Sequence, residues 1–144
     1  MAHDEDKKFS EKHGPDAKPD IAIRDEILKH AKNEAISCAV AFQIAEGLGV
    51  SPAEVGKNVD LLDFRLIKCQ MGLYGHTPET KVVKKQHDAS QELKDAISEA
   101  LLDGKLSCKS AWDIAARFNI SKLAVSGACE AMEIKIKNCQ LGAF

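Results

Sequence analysis

Long apolar runs are missing from this sequence: no stretch approaches the roughly 20 residues that a bilayer-spanning helix needs. The polar start, MAHDEDKKFSEKHGPD, reads as neither a signal peptide nor an anchor, so a cytoplasmic chain without membrane contact is expected. Charge of one sign is missing too. The 20 basic and 22 acidic side chains leave a formal charge of −2. Residues 1–22 carry four basic and six acidic groups, 23–74 six and seven, 75–92 three and three, and 93–144 seven and six. No segment is strongly basic, which weighs against heavy reliance on phosphate contacts. There is no Cys-x-x-Cys, no glycine-rich phosphate loop, no nucleophile–base pattern and no paired-carboxylate signature. Neither an enzyme nor a cofactor is expected. The five cysteines, an odd number, fit reduced thiols better than a disulfide framework.

What the sequence does have is a repeated phrase. KCQMGLYG stands near the middle and NCQLGAF at the end, so that Cys69, Gln70 and Gly72 recur 70 residues on as Cys139, Gln140 and Gly142. The same shift carries Ser37-Cys38 onto Ser107-Cys108, Ile44-Ala45 onto Ile114-Ala115, and Ser51 and Val55 onto Ser121 and Val125. Sliding 23–74 onto 93–144 needs no gap and gives 12 identities in 52 positions, with most other apolar positions kept apolar. The chain is a tandem duplication. The implied organisation is a disordered tail at 1–18, repeat 1 at 19–74, a linker at 75–88 and repeat 2 at 89–144. An apolar share of 44% is ordinary for a soluble globular protein, but units of about fifty residues are near the lower limit for an independent core.

Within one repeat, DIAIRDEILKHAKN places Ile23, Ile27, Leu28 and Ala31 on one helical face, with Asn33 as the stop; the second copy uses Leu93, Ile97 and Leu101, ending at Gly104. Ser37 caps a second helix that buries Ala41, Ile44, Ala45 and Leu48 and stops at Gly49. Ser51, Pro52 and Glu54 form a capping box for a third helix whose buried face is Val55, Val59 and Leu62. FRLIKCQ and IKIKNCQ alternate as short strands, with AIS and KLS as their pairing partners. Gly72 and Gly142 fall where the chain must turn after the strand, and Tyr74 and Phe144 are positioned to fold back over the repeat's core.

Ala45, then Gly49 four residues on, then Val55 ten residues on, matched by Ala115, Asn119 and Val125, resembles the helix-turn-helix signature in both copies. The resemblance implies a mainly α fold with short β-strands, built as two tandem winged-helix-like repeats with a reduced wing. It further implies DNA binding and transcriptional regulation, with the third helices as reading surfaces. Candidate contacts are Ser51, Lys57, Asn58, Arg65 and Lys68 in the first copy, and Ser121, Lys122, Ser126, Lys135 and Lys137 in the second; Asp60 also falls on this helix, and the linker lysines of KVVKK add charge. Arginine, a frequent base reader, is absent from both third helices. The alternative is a protein-interaction module or accessory subunit of a larger enzyme. A third reading is a thiol-based redox or metal sensor. For it, Cys38 and Cys108 would sit in a helix's first turn, where backbone amides favour a thiolate, and Cys69 and Cys139 at strand ends nearby. Buried apolar side chains are the plainer role for these thiols. The five histidines have no counterpart in the other copy.

Overall fold

The computed structural model describes residues 12–14, 17–77 and 80–144. The rest of the expected disordered tail, 1–11 and 15–16, lies outside the described residues. Among the described residues the protein is mainly helical, with short strands in two small sheets. Chain order is α1 (Ile21–His30), β1 (Ala35–Ser37), α2 (Cys38–Leu48), α3 (Pro52–Leu61), β2 (Arg65–Ile67), α4 (Gln91–Ala100), β3 (Leu106–Ser107), α5 (Cys108–Phe118), α6 (Lys122–Ala131) and β4 (Ile136–Lys137).

Backbone conformation records the duplication more fully than residue identity does. Left-handed residues come in pairs 70 apart: Asn33 with Asp103, Glu34 with Gly104, Gly49 with Asn119, Asp63 with Glu133, Lys68 with Asn138, and Gly72 with Gly142. Gly49 (φ 68°) and Asn119 (φ 54°) end α2 and α5, and the next amides, of Val50 and Ile120, reach back to the carbonyls of Ala45 and Ala115 at 3.0 Å. These are Schellman-type stops, which satisfy carbonyls that the helix end leaves open. Caps repeat as well. Ser37, Ser51, Ser107 and Ser121 each accept the amide three residues on.

The first helix of each copy stops earlier than the sequence suggests, at His30 and Ala100. Asn33 and Glu34, like Asp103 and Gly104, instead form the centre of a tight two-residue turn that bridges Lys32 to Ala35 and Leu102 to Lys105. Two consecutive positive φ angles are what such a turn requires. Ile23 and Ile27 are buried, but Leu28, a further 100° around α1, is exposed. Leu48, in the last turn of α2 where the chain leaves the helix, is 39% exposed, and Leu62 is half-buried.

Each strand pair is parallel: Ala35, Ile36 and Ser37 oppose Arg65, Leu66 and Ile67, and Leu106 and Ser107 oppose Ile136 and Lys137. The two helices between the strands form the crossover that a parallel pair needs. Each sheet has two strands, and no return strand pairs with β2 or β4 among the described residues. In place of a wing, the repeated phrase closes a small loop: the Cys69 amide donates to the Tyr74 carbonyl at 3.1 Å, and the Cys139 amide to Phe144 at 3.0 Å.

Compact units do not follow the repeat boundary. Among the described residues, one contains those up to Lys68 together with Leu141–Ala143; the other contains those of Cys69–Gln140 and Phe144. The first unit buries Ile27, Ala41, Val55 and Val59 completely, and Leu141 to 1% exposure. The second buries Ile97, Leu106, Ala111 and Val125 around Met71, which comes from the first copy's phrase. Tyr74 packs on the second unit's core, with Phe144, 45% exposed, edge-on to it at 5.9 Å. Each fully buried valine, leucine, isoleucine or methionine among them contributes roughly 1.5–3 kcal/mol.

Candidate interaction surface

The third helices, α3 and α6, were expected to present the reading surface, yet both are covered along much of their length. In α6, five consecutive residues, Val125–Cys129, are buried; in α3, Val55, Gly56, Asn58, Val59 and Asp60 are. A helix with one face on a core buries about half its circumference, so burial of consecutive positions means a second cover.

On α3 the cover is backbone. A Cβ at Gly56 would stand 1.7 Å from the Leu141 carbonyl oxygen, so only glycine admits that strand of chain. Asn58 accounts for the start of α1. Its Oδ1 accepts the Asp20 amide at 2.6 Å, and its Nδ2 donates to the Glu54 carbonyl at 2.8 Å. At 2% exposure, with both ends of its amide turned to backbone groups, Asn58 is closed off from a base edge. Asp60 is also buried, and its carboxylate is met by Lys12 Nζ at 3.0 Å and His13 Nε2 at 2.9 Å. Lys12 and His13 belong to the stretch expected to be disordered. A buried carboxylate without a partner is costly; the Lys12 ammonium and the His13 ring supply its partners.

On α6 the cover is the linker. The Gln86 amide donates to the Gly127 carbonyl at 3.0 Å, Lys81 forms an ion pair with Glu130, and a Cβ at Gly127 would meet the Lys84 carbonyl oxygen at 2.6 Å. Lys81 is thus not the free linker charge the sequence suggested. Ser126, which aligns with Gly56, is 1% exposed and its Oγ finds no partner among the described residues, so it too is removed from the reading surface.

The remaining candidates are scattered. Ser51 and Ser121 are exposed but spend their hydroxyls capping α3 and α6. Lys57 is half-buried. Lys122 holds its ammonium 4.3 Å above the Trp112 ring, an attractive cation–π contact. Arg65, Lys68 and Lys135 are exposed at the strands and Lys137 is half-buried in β4. What the exposed N-terminal turns offer is Ala53 and Glu54 on α3 and Leu123 on α6, with Ile120 just before it.

The thiols are core residues. Cys38, Cys69, Cys108 and Cys129 are buried and Cys139 half-buried; none is in a disulfide among the described residues. The helix-start position does not make Cys108 a thiolate. Burial pushes its pKa up, and the hydrogen bond from Gln140 only partly offsets that, while nearby Cys139 and Cys69 add to the rise. Burial, with a smaller contribution from Glu130, raises Cys129 to about 11. Cys129 aligns with Val59, which is the signal that it fills a core position. Among the described residues no cluster of three or more His, Cys, Asp and Glu is arranged to hold a metal ion, and no helix is long and apolar enough to cross a membrane.

Gly127, Gln86 and the Lys81–Glu130 pair were missed in the sequence. A glycine inside a helix that aligns with Lys57 was the available clue, since it costs helix stability and so marks a close approach. Compared with protein-family models, curated proteins and solved structures, the chain matches none.

Proposed function

We propose that the chain is a protein-interaction module of two helix-turn-helix-like repeats, an accessory subunit and not a reader of DNA or a catalyst. The order α1-β1-α2-α3-β2, the left-handed stops at Gly49 and Asn119, and their repetition 70 residues apart support the helix-turn-helix likeness. The parallel strand pair supports only a wingless version of the winged helix.

The observation that carries the reading is the cover over the third helices. A helix that reads a major groove needs several polar side chains free near its N-terminal end. Here Asn58 and Ser126 are buried, and Lys122 is stacked on Trp112. A phosphate approaching α3 would meet Glu54, whereas an apolar partner surface would meet Ile120 and Leu123 at α6, which are 36% and 45% exposed. The near-neutral charge points the same way. A reducing, cytoplasmic setting suits five cysteines outside any disulfide.

The test is retention of a partner on the immobilised full chain, mapped by variants. Replacing Ile120 and Leu123 with aspartate should abolish retention, while Arg65→Glu with Lys135→Glu should leave it intact. The reverse pattern would favour a charge-driven, nucleic-acid reading instead.

A further inference from the structure

The cover on α6 is held differently from the core beneath it. Residues 80–86 form no helix or strand, and all of them except Val83 are exposed. The segment is pinned by polar contacts: the Val82 and Val83 amides donate to the Gly72 carbonyl at 2.8 and 3.3 Å, the Gln86 amide donates to Gly127, and Lys81 pairs with Glu130. Such contacts, half open to water, belong to the low end of local stability. The helix underneath is prepared for a backbone lying against it, because Gly127 leaves out the Cβ that would collide with Lys84 and Gln86.

We propose that residues 80–86 are a displaceable strap on α6, occupying the site where a partner docks an extended, lysine-bearing segment of the same kind. This rests on the protein-interaction reading and names the chemistry of the partner. The strap defines that chemistry: an extended backbone offering an N–H to the Gly127 carbonyl, and a cation for Glu130. The first unit supplies an independent instance. Asp60 is the counterpart of Glu130 at the same helix position, and it too is held by a lysine, Lys12, with His13 beside it, from the segment ahead of its repeat. An intramolecular strap competes at an effective concentration on the order of millimolar, so a partner in trans binds well only when the strap is weakened or outmatched.

Two substitutions weaken it from opposite sides. Gly127→Ala places a methyl group against the Lys84 carbonyl, and Lys81→Glu turns attraction to Glu130 into repulsion. Amide hydrogen exchange on the full-length chain should then quicken about tenfold at Gln86 and Val82, with Ile97 and Val125 unchanged. A fluorescent peptide copying residues 80–88 should bind the Lys81→Glu chain at least about tenfold tighter than the unaltered chain, since the competing strap is loosened. Glu130→Lys should abolish that binding. Unchanged exchange at Gln86 in Gly127→Ala, or no peptide binding to any form of the chain, overturns the proposal. Melting curves of both variants establish that they fold. None of these readouts needs the partner, so they fail separately from the Ile120 and Leu123 test of partner retention.

Discussion

Gly56 and Gly47 test at single residues what each glycine is for. Both lie inside helices, but a Cβ at Gly56 strikes the Leu141 backbone whereas one at Gly47 meets nothing within 4 Å. Gly56→Ala should therefore destabilise by about 1–3 kcal/mol through overpacking. Gly47→Ala should stabilise by about 0.5–1 kcal/mol, because alanine loses less backbone entropy in a helix. Denaturant midpoints of the two variants decide, and equal shifts would contradict the assigned close approach. Cys129 gives a pH test. Its pKa is raised to about 11 in the folded state, above the ordinary thiol value of 9.0, so the native chain holds a proton that the unfolded chain releases. That contribution is fully present below about pH 9 and is lost between there and 11, by up to about 1.4 kcal/mol per pH unit. Cys129→Ala should flatten the decline, measured in reductant. Asn58 and Asp60 show where residue-level reading stops. A polar letter on an amphipathic helix reads as surface, and only the distant Asp20, Lys12 and His13 turn these two inward.

At the scale of elements, local chemistry was legible. The serine caps, Pro52 at a helix start, the stops at Gly49 and Asn119, and the pairing of AIS with the RLI strand all depend on residues close in sequence or on a simple alternation. The ends of α1 and α4 were misjudged because Asn33 and Gly104 were read as helix stops, when each serves a two-residue turn a few positions later. Glu34 tests this. It holds φ at 59° where its counterpart is Gly104, so Glu34→Gly should relieve left-handed strain and stabilise by about 1 kcal/mol. Gly49→Val should do the opposite, costing about 1–2 kcal/mol. Thermal unfolding of the pair checks both signs, and a destabilised Glu34→Gly would mean the turn is not under strain.

For the whole molecule, the duplication was plain in the 70-residue shift, but the composition of the compact units was not. Nothing in CQMG or CQLG says which repeat each phrase completes, since Met71 and Leu141 suit either core equally in size and polarity. The consequence is testable. Met71→Ala should cost about 2–5 kcal/mol, the range for truncating a buried side chain. It should also loosen the amide of Val125, whose core cluster Met71 joins, before that of Val55. Loosening of Val55 alone would return Met71 to its own repeat. The covers on α3 and α6 were equally hidden, because they come from the closing phrase of the other repeat and from segments that composition marks as tail and linker. They are also what separates the two functional readings. The most direct measurement is a fluorescence anisotropy titration of the full chain against labelled mixed-sequence duplex DNA at about 50 mM salt, repeated at about 200 mM. The account predicts no saturable binding at either salt, and no change on Lys122→Glu. Saturable binding that weakens with salt, with log affinity falling by about 0.9 per log unit of salt for each phosphate contact, would contradict it, most of all if Lys122→Glu removes one contact from that slope.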